Sequence, residues 1–552
     1  MKKKLKQNSF AEGAFIAYFA IVITKLMGAL YNIPFYRIIG DSGGFIYSCA
    51  YNIYALFLDI STSGVPIAMS IIIGEYNAMG KYRSKEKAYR LGLYFVFIIS
   101  LASFLFLQFS ADGIADYFLK GTSEGVKAAD IATAIKIVSL CLLVVPFLSV
   151  QRGYLQGHKF MAPSSVSQVI EQVIRIGVVL VGAYFAVDVL KLGTSHGVYV
   201  SLFGAGFAAL VALLYIMFKR YKYQNFFIKE GEEEKADSSR YILKKMISYC
   251  TTIIIISITV GVYNIVDMKL LIVGLHNLGF SDFDVQTIAS ITSNWVPKIC
   301  MIIAALAMGM TSSIAPHMAE SYAKGNFKEV NKKLNQAIAI VLLISTPLTI
   351  GMIIYSSVVY NIFYGVSAYG SQILVLALIL NMVAGIVSVI SMTMQSMNKG
   401  KSVCYYNVVG VIVNTAMDLP LIYLFAKIGI APYLGATVAS ILGQLITLWL
   451  LLNNLNKDIA LNYHSLFKTA KKLILPLILV TITALLFKYI WVIDGNRRVI
   501  QILQLMLIGG ISAVIYFIAV YKTGALEVLF DNRIIVKIIE KLNLSRRVNG
   551  KN

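Results

Sequence analysis

Charge is what this sequence has least of for its length. Only 14% of its 552 residues are Asp, Glu, Lys or Arg, while 58% are hydrophobic. A water-soluble chain of that size needs far more polar surface to cover its core. Cysteine is scarce too. Cys49, Cys141, Cys250, Cys300 and Cys404 lie inside or at the edges of apolar runs, with neither zinc-finger nor redox spacing. They read as small apolar packing residues. The histidines (His158, His196, His276, His317 and His464) are scattered at loops and helix ends, so no catalytic cluster can be built from them. There is no H-E-x-x-H and no nucleophile elbow. Gly400-Lys401-Ser402 ends like a phosphate-binding loop, but Gln395 stands where its first glycine belongs and no strand precedes it.

What is present is a series of apolar runs, each about 20 residues and long enough to cross a bilayer. Fourteen are counted: roughly 10–38, 44–74, 91–112, 131–151, 163–187, 197–218, 246–275, 287–316, 335–361, 370–396, 403–426, 432–453, 473–493 and 499–521. The basic start, Met1-Lys2-Lys3-Lys4-Leu5-Lys6, imitates a signal peptide. The apolar stretch after it is too long for an h-region of ~7–15 residues, so it is taken as the first span. The fold class expected is an all-α integral membrane protein.

The formal charge of +22 could suggest nucleic acid, but the bases sit in short clusters between apolar runs and form no basic face. The loops on one side, with both termini, hold 36 of the 49 Lys and Arg, against 8 on the other side and 5 within spans. The positive-inside rule then places both termini in the cytoplasm.

The polar stretch around Glu230-Gly231-Glu232-Glu233-Glu234-Lys235 reads as a solvated linker. It divides the chain into 1–220, six spans; 221–245, the linker; 246–454, six more spans; and 455–552, two final spans and a tail. A repeat matches the division. At an offset of 245 residues Gly64, Glu75, Ala78 and Gly80 fall on Gly309, Glu320, Ala323 and Gly325, and both copies read E-x-x-A-x-G-x-[YF]-[RK]. Two six-helix lobes related by a parallel pseudo-repeat are expected, with spans 13 and 14 as an addition.

Ionisable residues inside spans are costly, about 2.5–3.5 kcal/mol each at a helix centre, and mark cavities or pathways. Glu171 and Arg175 are four apart on one helical face, so they can neutralise each other. Lys25 and Lys298 have no acid close by in their own helices, and Lys298 stands beside Pro297 and Trp295, where a broken helix could open to a cavity. Asp267 and Lys269 are two apart, about 200° around the helix, and cannot pair with each other. Lysines stranded in separate spans point to an anionic visitor. In span 11 Asn414 and Asp418 share a face. With Asp267 of span 7 and Thr437 of span 12 they offer oxygen-only ligation suited to sodium, or an interhelical hydrogen-bond network.

Several features resemble one known family: the six-plus-eight arrangement, the T-K-L-M-G-x-L-Y-N-I-P-F-Y of Thr24 to Tyr36, the S-G-V-P of residues 63–66, and the twin turn signatures. They are similar to the MurJ-type lipid II flippases of the multidrug/oligosaccharidyl-lipid/polysaccharide exporter superfamily, in the Gram-positive branch that includes the sporulation protein SpoVB. The resemblance covers essentially the whole chain. It implies V-shaped halves around a cationic cavity, with a groove from the last two spans. It also implies a monomeric, multi-pass transporter of the bacterial plasma membrane, not an enzyme. The implied partner is an undecaprenyl-pyrophosphate-linked saccharide, the peptidoglycan precursor lipid II, carried outward by alternating access with ion or potential coupling.

Lys25 matches a cavity arginine of the family. Tyr31 replaces a second one, Asp59 lies near where span 2 carries another, and Lys298 is close to the span-8 arginine. The substrate-facing set is therefore Thr24, Lys25, Asp59, Arg175, Lys269 and Lys298. Asp267, Asn414 and Asp418 match a sodium site of some members, with Thr437 beside them, so sodium is the one cofactor expected. The alternatives are an exporter of another undecaprenyl-linked saccharide unit and a cation-coupled multidrug exporter.

Overall fold

The computed structural model describes residues 23–24, 27–28, 30–62, 64–119, 126–158, 160–222, 236–301, 303–304, 318, 321–322, 325–397, 399–491 and 498–525. Among these residues every regular element is a helix and none is a strand. Ten of the helices are long and apolar enough to cross a membrane, so the chain is an all-helical, multi-pass membrane protein. Lys25, the acidic linker, and Gly309, Glu320 and Ala323 of the second repeat copy lie outside the described residues.

In chain order the helices are α1 (Asn32–Thr62), α2 (Val65–Ala78), α3 (Tyr82–Leu119), α4 (Ala128–Ser139), α5 (Val145–Gly157), α6 (Met161–Tyr184), α7 (Thr194–Lys222), α8 (Ser239–Asn277) and α9 (Asp282–Ser290). They continue with α10 (Phe327–Ile354), α11 (Ser356–Tyr364), α12 (Gly370–Ser396), α13 (Gly400–Lys427), α14 (Leu434–Ile459), α15 (His464–Ile490) and α16 (Arg498–Lys522). Contacts gather them into two compact units. The first is Met1–Ile302 with Asn407–Ser440, and the second is Ile303–Tyr406 with Ile441–Asn552.

Local chemistry explains the breaks. Within α1 the chain turns at Gly40, whose φ of +62° is cheap only for glycine. The second span, expected as one helix over 44–74, is interrupted between Thr62 and Val65. Pro66 sits in the first turn of the new helix, where its missing N–H costs nothing. At the same break a side chain on Gly64 would strike the Cys250 backbone at 2.8 Å, so α8 passes against bare backbone. Both signature turns end on a left-handed glycine, Gly80 (φ +72°) and Gly325 (φ +66°).

The first unit packs by close approach. On α5 Gly153 and Gly157 lie one turn apart, and a Cβ on either would stand within 2.8 Å of α2 atoms. This small-xxx-small contact is how helices associate where lipid is as apolar as leucine. Met69, Ile72, Ile73, Tyr89, Val150 and Tyr154 fill the space around it. In the second unit Pro347 interrupts α10 and removes the hydrogen bond that the Leu343 carbonyl would accept. Tyr516 of α16 supplies the missing donor at 2.7 Å, and Tyr355 similarly donates to the Ala484 carbonyl of α15 at 2.7 Å. The last two helices are thus pinned to α10 by polar contacts as well as by the cluster of Ala339, Leu343, Leu473, Val480 and Tyr516.

Candidate functional site

Three features of the two units bear on function. The first, in the first unit, joins cations to aromatic rings. After α9 the helix widens into a π turn over Ile291–Trp295 just ahead of Pro297, and such turns mark functional sites. Lys298 follows, half-buried, with Nζ 4.7 Å from the Tyr51 ring centroid. No acidic side chain pairs with Lys298 among the described residues. Tyr51 stacks on Tyr47 at 5.4 Å, and Tyr47 lies parallel to Trp295 at 6.3 Å. Tyr36 meets Trp295 edge-on at 5.0 Å. Gly44 makes the room, since a Cβ there would sit 2.9 Å from the Trp295 ring. Lys269, on α8, is buried with Nζ 5.1 Å from the Tyr117 ring.

Close to Tyr51 lies Arg175 of α6. Its Nη2 donates to Glu171 at 2.6 Å, the pairing their spacing predicts. Glu171 also accepts from Arg152 of α5 at 2.9 Å, and Arg152 Nε donates to Ser167 at 2.9 Å. Thr24 and Asp59 are half-buried helical residues.

The second feature is an oxygen cluster contributed by α8, α13 and α14. Asp267 accepts from the Asn414 amide and, at 3.0 Å, from the Ser440 hydroxyl. Asp418 and Tyr263 stand beside it. Both carboxylate oxygens of Asp418, the Asn414 carbonyl oxygen and the Thr437 hydroxyl are buried without a hydrogen-bond partner. Gly435 brings α14 onto α13 so closely that a Cβ would lie 2.6 Å from the Ile422 nitrogen. Three helices therefore converge their oxygens on one point, and the Tyr263 hydroxyl is likewise buried without a hydrogen-bond partner. No group of three or more His, Cys, Asp and Glu capable of holding a metal occurs among the described residues. Two carboxylates, an amide and a hydroxyl suit a hard monovalent cation better than a transition metal.

The third feature lies in the second unit. Between α10, α15 and α16 runs an apolar cavity of about 400 Å³, lined by Pro347, Gly351, Val480, Ala484, Ile508 and Gly509 among others. A Cβ on Gly351 or Gly509 would meet nothing within 4 Å, so these glycines leave the cavity open.

Sequence reasoning missed several of these residues. Arg152 falls just past the end assigned to span 4, yet α5 continues to Gly157 and carries it into the site. Tyr47, Tyr51 and Tyr54 recur at helical spacing, which could have marked the aromatic wall. Tyr263 is four residues before Asp267 and Ser440 three after Thr437, each on the face of a residue already singled out.

The family profile described as Polysaccharide biosynthesis protein matches residues 10–280, and the one described as MatE matches residues 283–419. The lipid II flippase MurJ of Bacillus subtilis (strain 168) is 27% identical over 545 residues, 96% of this chain and 98% of its own. Stage V sporulation protein B of the same organism is 26% identical over 220 residues, 40% of each chain. A solved MurJ lipid II flippase in an inward closed conformation shares the fold with a TM-score of 0.63 at 16% identity, over 91% of this chain and 99% of its own. An outward-facing multidrug resistance MATE family transporter does so with a TM-score of 0.60 at 14% identity, over 82% of this chain and 97% of its own. Profiles, relatives and fold point one way: over nearly its whole length the chain is similar to the MurJ-like lipid II flippases, and it shares its fold with them and with the MATE transporters.

Proposed function

We propose that this protein flips lipid II, the undecaprenyl-pyrophosphate-linked peptidoglycan precursor, from the cytoplasmic to the outer leaflet of the bacterial plasma membrane. The observation that carries the reading is Lys298, a half-buried cation with no acidic partner among the described residues, set over Tyr51 in a wall of stacked aromatic rings. In a low-dielectric site a cation attracts a diphosphate far more strongly than in water, and aromatic faces suit the apolar faces of sugar rings. Lys269 is proposed as a further cation of this cavity, with Thr24, Asp59 and Arg175; Lys25, proposed with them, lies outside the described residues. The apolar cavity against α15 and α16 suits a polyisoprenyl chain. The multidrug transporter structure covers only 82% of this chain, which favours a lipid-linked cargo over a multidrug one.

The reading includes fourteen spans with both termini cytoplasmic, two six-helix lobes related by a parallel repeat, and the final two spans as the lipid groove. It includes a monomer working by alternating access, with no enzymatic step. The oxygen cluster of Asp267, Asn414, Asp418 and Thr437 would hold sodium. Bound there, the ion would favour whichever facing draws α8, α13 and α14 together, by its difference in affinity between the two facings. The match to a polysaccharide-biosynthesis profile favours, as a second reading, another undecaprenyl-linked saccharide unit as cargo.

Complementation of a strain depleted of its lipid II flippase tests the proposal. The wild type should restore growth, Lys25→Ala and Lys298→Ala should abolish it at normal membrane levels, and Lys298→Arg should keep part of it. Full growth with both alanine variants would refute the cavity assignment. Failure of a well-expressed wild type would favour the second reading.

A further inference from the structure

Arg152, Glu171 and Arg175 form a triad with two cations for one anion. Glu171 bridges both guanidiniums at 2.9 and 2.6 Å, and its side chain is 13% exposed. A bridge serving structure alone would need only one arginine, since Glu171 and Arg175 already pair along α6. The second leaves one positive charge uncompensated among the described residues inside the membrane-spanning region, which is unfavourable unless an anion visits. One donor is also unspent. Arg175 Nε is buried with no hydrogen-bond partner, and such a group in a native structure requires an explanation. Tyr51, over whose ring Lys298 stands, is also near enough to Arg175 to act on it electrostatically. The triad on α5 and α6 and Lys298 after α9 are thus related through Tyr51.

We propose that this triad is a second anion-binding station for the diphosphate headgroup, in which Glu171 occupies the place of a phosphate until the cargo arrives. The assignment rests on the lipid-diphosphate reading above. Carboxylate and phosphate both accept paired guanidinium N–H donors, so a phosphate can take over the bonds that Glu171 holds. Glu171 keeps the two arginines oriented and stops them from repelling each other in the empty protein. It also competes with the cargo, so that the headgroup is passed on towards Lys298 and not trapped.

The test is calorimetric titration of the purified protein in lipid nanodiscs with farnesyl diphosphate, and with farnesyl monophosphate for comparison. Arg152→Gln and Arg175→Gln should each weaken diphosphate binding about tenfold, and monophosphate binding less. Glu171→Gln removes the competitor and should tighten diphosphate binding several-fold. Weaker binding by a monodisperse Glu171→Gln would overturn the place-holder role. If that variant fails to fold, the double variant Arg152→Gln, Glu171→Gln keeps the wild-type net charge. It should bind at least as tightly as Arg152→Gln alone, and weaker binding would overturn the proposal equally. Wild-type affinity in both arginine variants, with binding lost in Lys298→Gln, would remove the station and leave the cavity reading standing. The reverse pattern would keep the station and remove the Lys298 assignment. No diphosphate binding by the wild type would end both.

Discussion

Replacing Asp418 by asparagine asks whether the α8–α13–α14 cluster is built for a cation. Asp267 and Asp418 are adjacent carboxylates, and Asp418 has no hydrogen-bond donor on either oxygen. Two unit charges about 4 Å apart at an effective dielectric of about 20 interact by roughly 4 kcal/mol. With both carboxylates ionised that is repulsion; with a monovalent cation between them it becomes two attractions of similar size. Asparagine keeps the shape and removes one charge. In choline buffer the variant should therefore be as stable as the wild type or more so. In sodium it should lose the gain that a bound ion gives, which is about 2.7 kcal/mol at a hundred times Kd. Thermal unfolding in detergent, titrated with sodium at constant ionic strength, measures both effects. A wild-type melting temperature indifferent to sodium, or an Asp418→Asn variant destabilised equally in both buffers, would refute the reasoning. The cluster would then be a hydrogen-bond network joining three helices.

Three further outcomes are expected. Tyr516→Phe leaves the Leu343 carbonyl without its donor and should cost about 1–3 kcal/mol of stability. In a Pro347→Ala background the restored N–H takes that carbonyl, and the cost should shrink, as a double-mutant cycle by thermal denaturation would show. Gly509→Leu fills the apolar cavity without striking the neighbours of its Cβ, and should abolish growth complementation at normal membrane levels. His158, just past the end of α5, is a buried imidazole that burial pushes down to about 4, with Lys85 and Arg220 adding to the effect. The unfolded chain, titrating near 6.5, binds the proton first, so stability falls as pH drops from about 6.5 to 4, by about 3 kcal/mol in all. His158→Gln should flatten that slope in urea or thermal unfolding series.

The elements were legible because each rests on local chemistry. Apolar runs give spans whatever surrounds them, since backbone groups in lipid must bond within their own helix. The left-handed Gly80 and Gly325 could be foreseen because only glycine takes that conformation cheaply. Glu171 and Arg175 paired as spacing demands, because one helical turn separates them. Lys298 could be picked out as a stranded cation beside a distorted helix, and the π turn before Pro297 supplies that distortion.

Partners from distant parts of the chain were not legible. Arg152 joined the triad only because α5 runs six residues past the apolar stretch that marks its span, and helix length there depends on packing against α2. Tyr516 meets Leu343 across 173 residues, satisfying a carbonyl that Pro347 frees. Proline reveals that a carbonyl is free but not what will reach it. Asp267, Asn414 and Asp418 could be grouped by ligand type, whereas Ser440 as the hydroxyl that bonds Asp267 needed the approach of α14 at Gly435. Sequence spacing determines which side chains share a face of one helix. Which faces meet is decided by close packing among many helices at once, and that is a property of the folded whole.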